Sequence, residues 1–241
     1  MSPSGSALAI NPGPIIAVTG LALEAKIAEG RGVQPIIGGG NAATLEAALK
    51  QHISRGACGI ISFGICGGLK QDLVPGTCIV GREVIAPTSS FSTHRAWSDA
   101  IAACVPRALR DNIAAVDAPI SSPEEKTRLA ISTRAIAVDT ESHIAAKLAL
   151  QHKLPFVIFR VIADPAGRSL PRAAEMALRT DGRIDAPAVL RSVVRTPGQI
   201  PLLIRLGFDT WVALRALTQS RRRLGAAMGY PNLSELLLDM P

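Results

Sequence analysis

The sequence is poor in aromatic side chains, which make up 3% of its 241 residues. Proteins that bind single-stranded nucleic acid stack the bases on such side chains, and no helix-turn-helix or RNP-like pattern stands out. We therefore expect no nucleic-acid partner, although the formal net charge is +7. Long apolar runs are also missing, since none approaches the roughly 18 residues that a membrane-spanning helix requires.

Cysteine and histidine are few and scattered. The four cysteines form no CxxC pair and stand among apolar residues, which is typical of reduced thiols in a cytoplasmic protein. The four histidines show neither HExxH spacing nor close pairing, so we expect no metal site and no cofactor. Residues 1–14 are rich in Ser, Pro and Gly but lack the basic region of a secretory signal, and we interpret them as a disordered tail.

Short apolar runs alternate with segments of helical composition from residue 15 to residue 169. In a chain with 48% hydrophobic residues, this alternation predicts a single α/β domain with mostly parallel central strands. Residues 170–241 are predicted to form a helical C-terminal extension. We expect strands near residues 15–19, 35–37, 58–63, 78–86, 135–138 and 155–162, and helices near residues 42–52, 98–115, 122–131 and 142–152.

Ligands of such sheets lie at the carboxyl ends of the strands. Candidate site residues are therefore those that directly follow the predicted strands. Three of these places carry carboxylates, which can transfer protons. The candidates are Glu24, Gly38 to Gly40, Gly64 to Gly68, Asp139 to Glu141, and Asp164.

Three sequence runs at these places carry a family resemblance: GICGGL at 64–69, AIAVDTES at 135–142 and LPFVIFRVIAD at 154–164. In order and spacing they resemble the methylthioadenosine/S-adenosylhomocysteine nucleosidases and related nucleoside phosphorylases, and the resemblance covers residues 15–167. It implies a three-layer α/β/α nucleoside phosphorylase-like fold with a mixed central sheet. It also implies an enzyme that cleaves the N-glycosidic bond of an adenine nucleoside and releases adenine.

The resemblance implies roles for two carboxylates. Asp164 would protonate the purine at N7, and such acid catalysis contributes about 10²–10⁴-fold in rate; the alternative is a turn or capping residue before Pro165. Glu141, beside Thr140, matches the glutamate that holds the ribose hydroxyls and favours an oxocarbenium-like transition state. Alternatively, Glu141 simply begins a helix, where negative charge is stabilised.

Glu24 matches the glutamate that activates water in the nucleosidases, the alternative being an exposed helical residue. The glycine-rich loop would contact base and ribose through the main chain of Ile65, Cys66 and Gly67, and Gly39 is predicted to approach the sugar. We interpret Cys66 as a packing thiol rather than a nucleophile, because no partner base is identifiable.

The acceptor of the sugar is predicted to be water, with phosphate as the alternative. Phosphorolytic relatives bind phosphate with arginines after the first strand and before the glycine loop. Here Ser62 and Phe63 stand directly before the glycine loop, where those relatives have an arginine, and no Gly-Asp-Pro-x-Arg run follows the first strand. The phenylalanine that stacks on adenine in the nucleosidases is also missing, and Ser121, Ser122 and Pro123 stand nearby. The identity of the purine therefore stays open.

The C-terminal extension is basic and rich in leucine. From residue 171 onward it has ten arginines, no lysine and six acidic residues. Residues 200–217 have the pattern of an amphipathic helix interrupted near Gly207. Such a helix would pack on the core or at a dimer interface, and contact with a membrane surface is the alternative.

The region between Glu24 and Gly38 is shorter than in typical relatives. This short N-terminal half and the extension together resemble the hopanoid-associated branch of the family. That branch implies adenosylhopane as substrate, a ribosyl-hopane product, and a role in hopanoid biosynthesis at the inner membrane face. A methylthioadenosine/S-adenosylhomocysteine nucleosidase, a phosphate-dependent purine nucleoside phosphorylase and a non-catalytic lipid-binding protein are the alternatives. The family also implies a homodimer, with Phe91, His94 and Trp97 as candidates for a wall that one subunit adds to its partner's 5′ pocket.

Overall fold

The structure, a computed structural model, describes residues 13–175, 179 and 181–231. The predicted tail over residues 1–14 lies outside the described residues, apart from its last two. The described strands are β1 (Ile15–Thr19), β2 (Val33–Ile37), β3 (Gly59–Gly68), β4 (Cys78–Ala86), β5 (Ser89–Ser92), β6 (Leu109–Ala115), β7 (Ala137–Asp139) and β8 (Phe156–Asp164). The described helices are α1 (Ala22–Ala28), α2 (Ala42–Ser54), α3 (Arg95–Cys104), α4 (Pro123–Thr133), α5 (Ser142–Gln151), α6 (Arg172–Glu175), α7 (Ala186–Arg195) and α8 (Ile200–Leu224).

The strands form one mixed sheet whose centre closes on itself. Strand β3 pairs in parallel with β1 and β8, and β8 pairs antiparallel with β4. Strand β4 continues in parallel through β6 to β7, and β7 returns antiparallel to β3. The predicted α/β class and mixed sheet are confirmed. Because β1, β3 and β8 run in the same direction, their carboxyl ends meet at one edge.

Helices cover both faces of the sheet, which explains why β8 is buried along its length and apolar apart from Arg160 and the terminal Asp164. On one face, Leu49 of α2 and Leu148 of α5 join a buried cluster. On the other, Ile101 of α3 and Leu217 of α8 join a second buried cluster. The C-terminal half of α8 is therefore part of the core. Within the described residues, no helix is both long enough and apolar enough to cross a membrane.

Two predictions of local structure are wrong. The helix expected over residues 98–115 ends at Cys104, and residues 109–115 form β6, because the buried Ile113 and Ala114 pair between β4 and β7. The interruption expected near Gly207 is absent from α8, which is continuous through this residue. Packing of its second half on the sheet stabilises the helix against the cost of one glycine, about 1 kcal/mol.

The assignment of Trp97 to a partner's pocket is also wrong. Its side chain is fully buried in the chain's own core, and its Nε1 donates a hydrogen bond to the Met228 carbonyl oxygen at 3.0 Å. His94 caps α3 by accepting from the Trp97 backbone N–H at 3.3 Å. Phe91 is half-buried and packs against the first core cluster.

We predict that Gly207→Ala stabilises the protein by about 1 kcal/mol, because alanine favours a helix interior over glycine. A Cβ at this position would meet nothing within 4 Å. Urea denaturation measures the change in the free energy of unfolding. The matched control is Gly225→Ala, where a Cβ is equally free of contacts but φ is +68°, so we expect a loss of about 1–2 kcal/mol. Equal effects of the two substitutions would contradict this interpretation.

Candidate active site

A cavity of about 330 Å³ opens at the carboxyl ends of β1, β3, β7 and β8. Of the residues that the sequence predicts for the site, five glycines do not line it: Gly38, Gly39, Gly40, Gly64 and Gly68. The others are brought together around this cavity, as the sheet topology requires for residues that follow neighbouring strand ends. They are Glu24, Ile65, Cys66, Gly67, Asp139, Thr140, Glu141 and Asp164.

The buried guanidinium of Arg160 lies under this cavity. Its Nε is 2.8 Å from Asp139 Oδ2, and its Nη2 is 3.2 Å from Glu141 Oε2. Nη2 also donates to Ser62 Oγ at 2.7 Å, and Nη1 donates to the Ile65 carbonyl oxygen at 3.3 Å. Burial alone would lower the pKa of Arg160, but the neighbouring carboxylates raise it. The side chain therefore stays cationic, a role the sequence did not reveal.

Asp139 fixes the turn between β7 and α5. Its Oδ1 accepts from the backbone N–H groups of Glu141 at 3.3 Å and Ser142 at 2.9 Å. Its Oδ2 accepts from the Ser142 hydroxyl and faces Arg160. Asp139 is therefore a turn and capping residue that also forms an ion pair with Arg160.

Glu141 occupies the N-cap position of α5, but its side chain makes no capping hydrogen bond. Its Oε1 instead accepts from the Thr140 hydroxyl at 2.6 Å, while Oε2 faces Arg160. Gly38 leaves room for the Glu141 side chain, since a Cβ on Gly38 would lie 2.9 Å from Glu141 Cγ. A carboxylate held in this way at the cavity wall can accept hydrogen bonds from a ligand's hydroxyl groups.

Glu24 is not an exposed helical residue, because only 1% of its surface is accessible. Its carboxylate accepts three backbone hydrogen bonds, from Gly20 and Leu21 at 2.8 Å each and from Ile65 at 2.6 Å. A Cβ on Gly64 would lie 2.6 Å from the carboxylate carbon, so this close approach requires glycine. Burial raises the pKa of Glu24 to about 7, against the lowering effect of Arg160. Such a carboxyl group can act as a base near neutral pH.

Asp164 ends β8 and is 14% exposed at the cavity. The fully buried Lys126 donates to its Oδ2 at 2.6 Å. Burial raises the pKa of Asp164, although the Lys126 ammonium opposes this. We find no capping hydrogen bond from Asp164 among the described residues. Lys126 could not be recognised from the sequence, because it stands in a helix whose other residues are mostly polar or exposed.

Cys66 lies in the cavity wall but is buried, and burial raises the pKa of its thiol well above the ordinary value. The thiol is therefore protonated at neutral pH and a poor nucleophile, in agreement with its interpretation as a packing residue. In the described part of the chain, no three His, Cys, Asp or Glu side chains are grouped so that they could hold a metal ion.

Much of the cavity wall is apolar, and part of this apolar wall comes from outside the three sequence motifs. The loop after β6 contributes one side, and the segment from residue 170 onward contributes the other. The sequence did not predict these contacts. The apolar lining residues are Val116, Pro119, Ile120, Leu170, Ala174, Ile184 and Leu206.

A profile of the Phosphorylase superfamily matches residues 12–195. The chain belongs to this superfamily. The predicted enzyme class, nucleosidase or nucleoside phosphorylase, is confirmed at this level, and so is the nucleoside phosphorylase-like fold. The hopanoid-associated branch stays a prediction. Sequence comparison with curated proteins gave no match.

Solved structures of superfamily members show the same fold. The 5′-methylthioadenosine/S-adenosylhomocysteine nucleosidase from Neisseria meningitidis, solved with methylthio-immucillin-A, has a TM-score of 0.58 and 16% identity over 86% of this chain and 97% of its own. The corresponding nucleosidase from Colwellia psychrerythraea, in complex with adenine, has a TM-score of 0.57 and 19% identity over 76% and 95%. Futalosine hydrolase of Helicobacter pylori has a TM-score of 0.52 and 15% identity over 63% and 88%.

We predict that Arg160→Met destabilises this superfamily member by about 3–5 kcal/mol, because it leaves Asp139 and Glu141 buried without their cation. Urea denaturation at pH 8 measures the loss. The control is Arg110→Met, which removes the partly exposed ion pair with Asp99 and is expected to cost about 1 kcal/mol or less. Similar losses for both variants would show that Arg160 does not stabilise the buried carboxylates.

Proposed function

We propose that the protein hydrolyses the N-glycosidic bond of an adenine nucleoside that carries a large apolar 5′ substituent. One observation carries the proposal. A buried carboxyl group with a pKa of about 7, Glu24, shares a cavity with the carboxyl groups of Glu141 and Asp164. Three carboxyl groups in three different environments can serve three different roles at one pH.

Each carboxyl group has a step in the proposed reaction. Asp164 donates a proton to purine N7 as the C1′–N9 bond breaks and its electron pair moves into the base. Glu141, held by Thr140 and Arg160, binds the ribose hydroxyls and stabilises positive charge on the sugar. Water attacks C1′ and transfers a proton to Glu24. The products are adenine and a sugar with a hydroxyl group at C1′.

The charges around the cavity favour water over phosphate. Arg160 is the one cationic side chain among the described lining residues, and Asp139 and Glu141 already pair with it. The backbone N–H groups of Gly20, Leu21 and Ile65 are occupied by Glu24. An incoming phosphate would therefore meet carboxylates and few free donors, whereas water needs only a base.

The proposed base is adenine, which the ligands of the similar structures support: adenine itself in one, methylthio-immucillin-A in another. The apolar side chains Val116, Pro119 and Ile120 offer a surface for a planar base in place of an aromatic ring. Apolar contacts of this kind stabilise a bound base by burial.

The C-terminal segment supports a large apolar group at the 5′ position. Leu170, Ala174, Ile184 and Leu206 line the cavity, and a charged 5′ group beside them would lose hydration without gaining a partner. Adenosylhopane, which the resemblance to the hopanoid-associated branch implies, has such a substituent. Methylthioadenosine, an adenine nucleoside with a small 5′ group, is the substrate for comparison.

The proposed function predicts adenine release whose kcat/KM falls about tenfold for each pH unit below about 7, because Glu24 becomes protonated and no longer accepts a proton. Adenosylhopane should be cleaved with higher kcat/KM than methylthioadenosine, and phosphate should not change the rate. We expect Glu24→Gln to lower kcat about 10²–10⁴-fold. Free adenine is measured by chromatography from pH 5 to pH 9.

The control for this experiment is Glu29→Gln, which changes an exposed glutamate one residue beyond α1 and should keep the wild-type profile. No adenine from either nucleoside would overturn the proposed function. A sugar phosphate product that requires phosphate would identify a phosphorylase instead.

We further propose that the exposed face of α7 and α8 docks on an anionic lipid surface, from which an apolar substrate could enter. Large apolar side chains are exposed along both helices: Leu190, Val194, Ile200, Leu202, Ile204, Phe208 and Trp211. The two helices carry seven arginines and one acidic residue, Asp209, which is buried and paired with Arg168. Apolar side chains among arginines suit lipid headgroups.

Charge also argues against a second copy of the chain on this face, since the arginines would face each other. The homodimer that the family implies would therefore use another surface. Leu206 and Thr210 of the same helix α8 line the cavity, so the proposed docking face is adjacent to the proposed substrate site.

We predict that the double variant Phe208→Ser, Trp211→Ser loses at least about tenfold in affinity for vesicles containing phosphatidylglycerol. The reason is that two large apolar side chains are no longer transferred from water into the lipid on binding. Vesicle sedimentation measures binding, and pure phosphatidylcholine vesicles should bind weakly. The matched control is Ile131→Ser, which changes a 75% exposed side chain on α4. Equal binding of all variants would reject the docking face. Loss of a dimer in the double variant, seen by sedimentation velocity, would assign the face to self-association.

A further inference from the structure

The contacts of Lys126 are unusual for a lysine in a polar helix. Its side chain is fully buried, and its Nζ makes three hydrogen bonds. The acceptors are Asp164 Oδ2 at 2.6 Å and the carbonyl oxygens of Arg168 at 2.9 Å and Pro165 at 3.0 Å. Burying an ammonium group costs several kcal/mol unless a counter-charge offsets it. The counter-charge here is the carboxylate that faces the cavity.

We propose that Lys126 is a positioning residue for Asp164 and the source of the proton that Asp164 delivers to the leaving base. This inference rests on the proposed function, in which Asp164 is the acid. An acid must carry a proton at the working pH, and a carboxylate bound to an ammonium has none of its own. The nearest proton belongs to Lys126.

The pair suits proton transfer because the charged and neutral arrangements have the same net charge. Moving one proton from Nζ to the carboxylate converts an ion pair into a neutral amine and a neutral carboxyl group. Low polarity favours the neutral arrangement more than water does. The carbonyl oxygens of Pro165 and Arg168 keep Nζ in place during the transfer.

The proton balance closes over one turnover. Lys126 gives a proton to Asp164, and Asp164 gives it to the base as the C1′–N9 bond breaks. Water adds to C1′ and gives its proton to Glu24. After the products leave, Glu24 releases that proton to solvent, and Lys126 takes one up through the partly exposed Asp164. The net reaction consumes one water molecule and no other reactant.

The other ionisable groups that act on Asp164 cannot take this role. Arg168 is paired with Asp209 of α8 and does not release a proton at these pH values. Cys66 of β3 is a buried, protonated thiol whose pKa burial raises. Among the described neighbours, Lys126 therefore controls how far the carboxyl group of Asp164 is protonated.

The test compares Lys126→Met and Lys126→Arg with the matched control Arg128→Met, an exposed change on the same helix. Without the ammonium, Asp164 is an acid only below its own pKa. The alkaline limb of the kcat profile for adenine release should then move to lower pH by at least about one unit in Lys126→Met. Lys126→Arg keeps a cation that releases no proton, so kcat should fall at least tenfold at every pH with KM nearly unchanged.

A role of Lys126 that is only structural would lower the yield of folded protein but leave the alkaline limb and the ratio of kcat to KM in place. That result would overturn the proposal. Circular dichroism establishes which variants are folded before kinetics are compared.

A second measurement separates this proposal from the proposed function, because it needs no turnover. The ¹³C shift of the Asp164 carboxyl group, assigned with Asp164→Asn, is followed against pH. Its midpoint should be higher in Lys126→Met than in the wild type, since the ammonium that favours the carboxylate is gone. An unchanged midpoint would overturn the coupling of Lys126 to Asp164. A wild type that releases no adenine would overturn the proposed function and, with it, proton delivery to the base, but a shifted midpoint would still support the coupling.

Discussion

A guanidinium buried away from water has to be surrounded by oxygen atoms, and this requirement of Arg160 shapes the centre of the protein. The oxygens come from Ser62 and Ile65 on β3, from Asp139 at the end of β7, and from Glu141 at the start of α5. Two chain segments that are distant in sequence, residues 62–65 and 139–141, therefore meet at a charge carried by a third segment, β8. The cavity lies where they meet, so the same ion pairs stabilise the core and orient the candidate ribose carboxylate.

The same charge sets the chemistry of Glu24. Burial raises the pKa of this carboxyl group, while Arg160 and the backbone donors of Ile65 and Leu21 lower it, and the balance lies at about 7. A stronger positive field would lower the pKa further and leave a carboxylate that accepts protons poorly. The same buried site without the positive charge of Arg160 would hold a protonated carboxylic acid at neutral pH. Gly64 makes the arrangement possible, because any side chain there would separate Glu24 from the arginine.

Much of the sheet could be predicted because a buried strand is a local apolar run, and the motif carboxylates could be predicted because they follow such runs. Arg160 and Lys126 could not be assigned, since their partners are 19 or more residues away and depend on strand pairing. The segment 98–115 is rich in helix-forming residues, yet pairing with β4 and β7 makes its end a strand. Gly39 follows the right strand, but the cavity extends along β3 and β8 instead.

In the proposed function, the C-terminal segment sets the kind of 5′ group that the site accepts. Helix α8 is packed on the sheet through Ala213 and Leu217, and Arg168 joins it to the loop that follows Asp164. In its first half, Leu206 lines the cavity, whereas Phe208 is exposed. A small 5′ group would leave this apolar wall in contact with water. A large apolar group would displace that water, and the gain in burial would favour such a substrate at the site where Asp164 and Lys126 act.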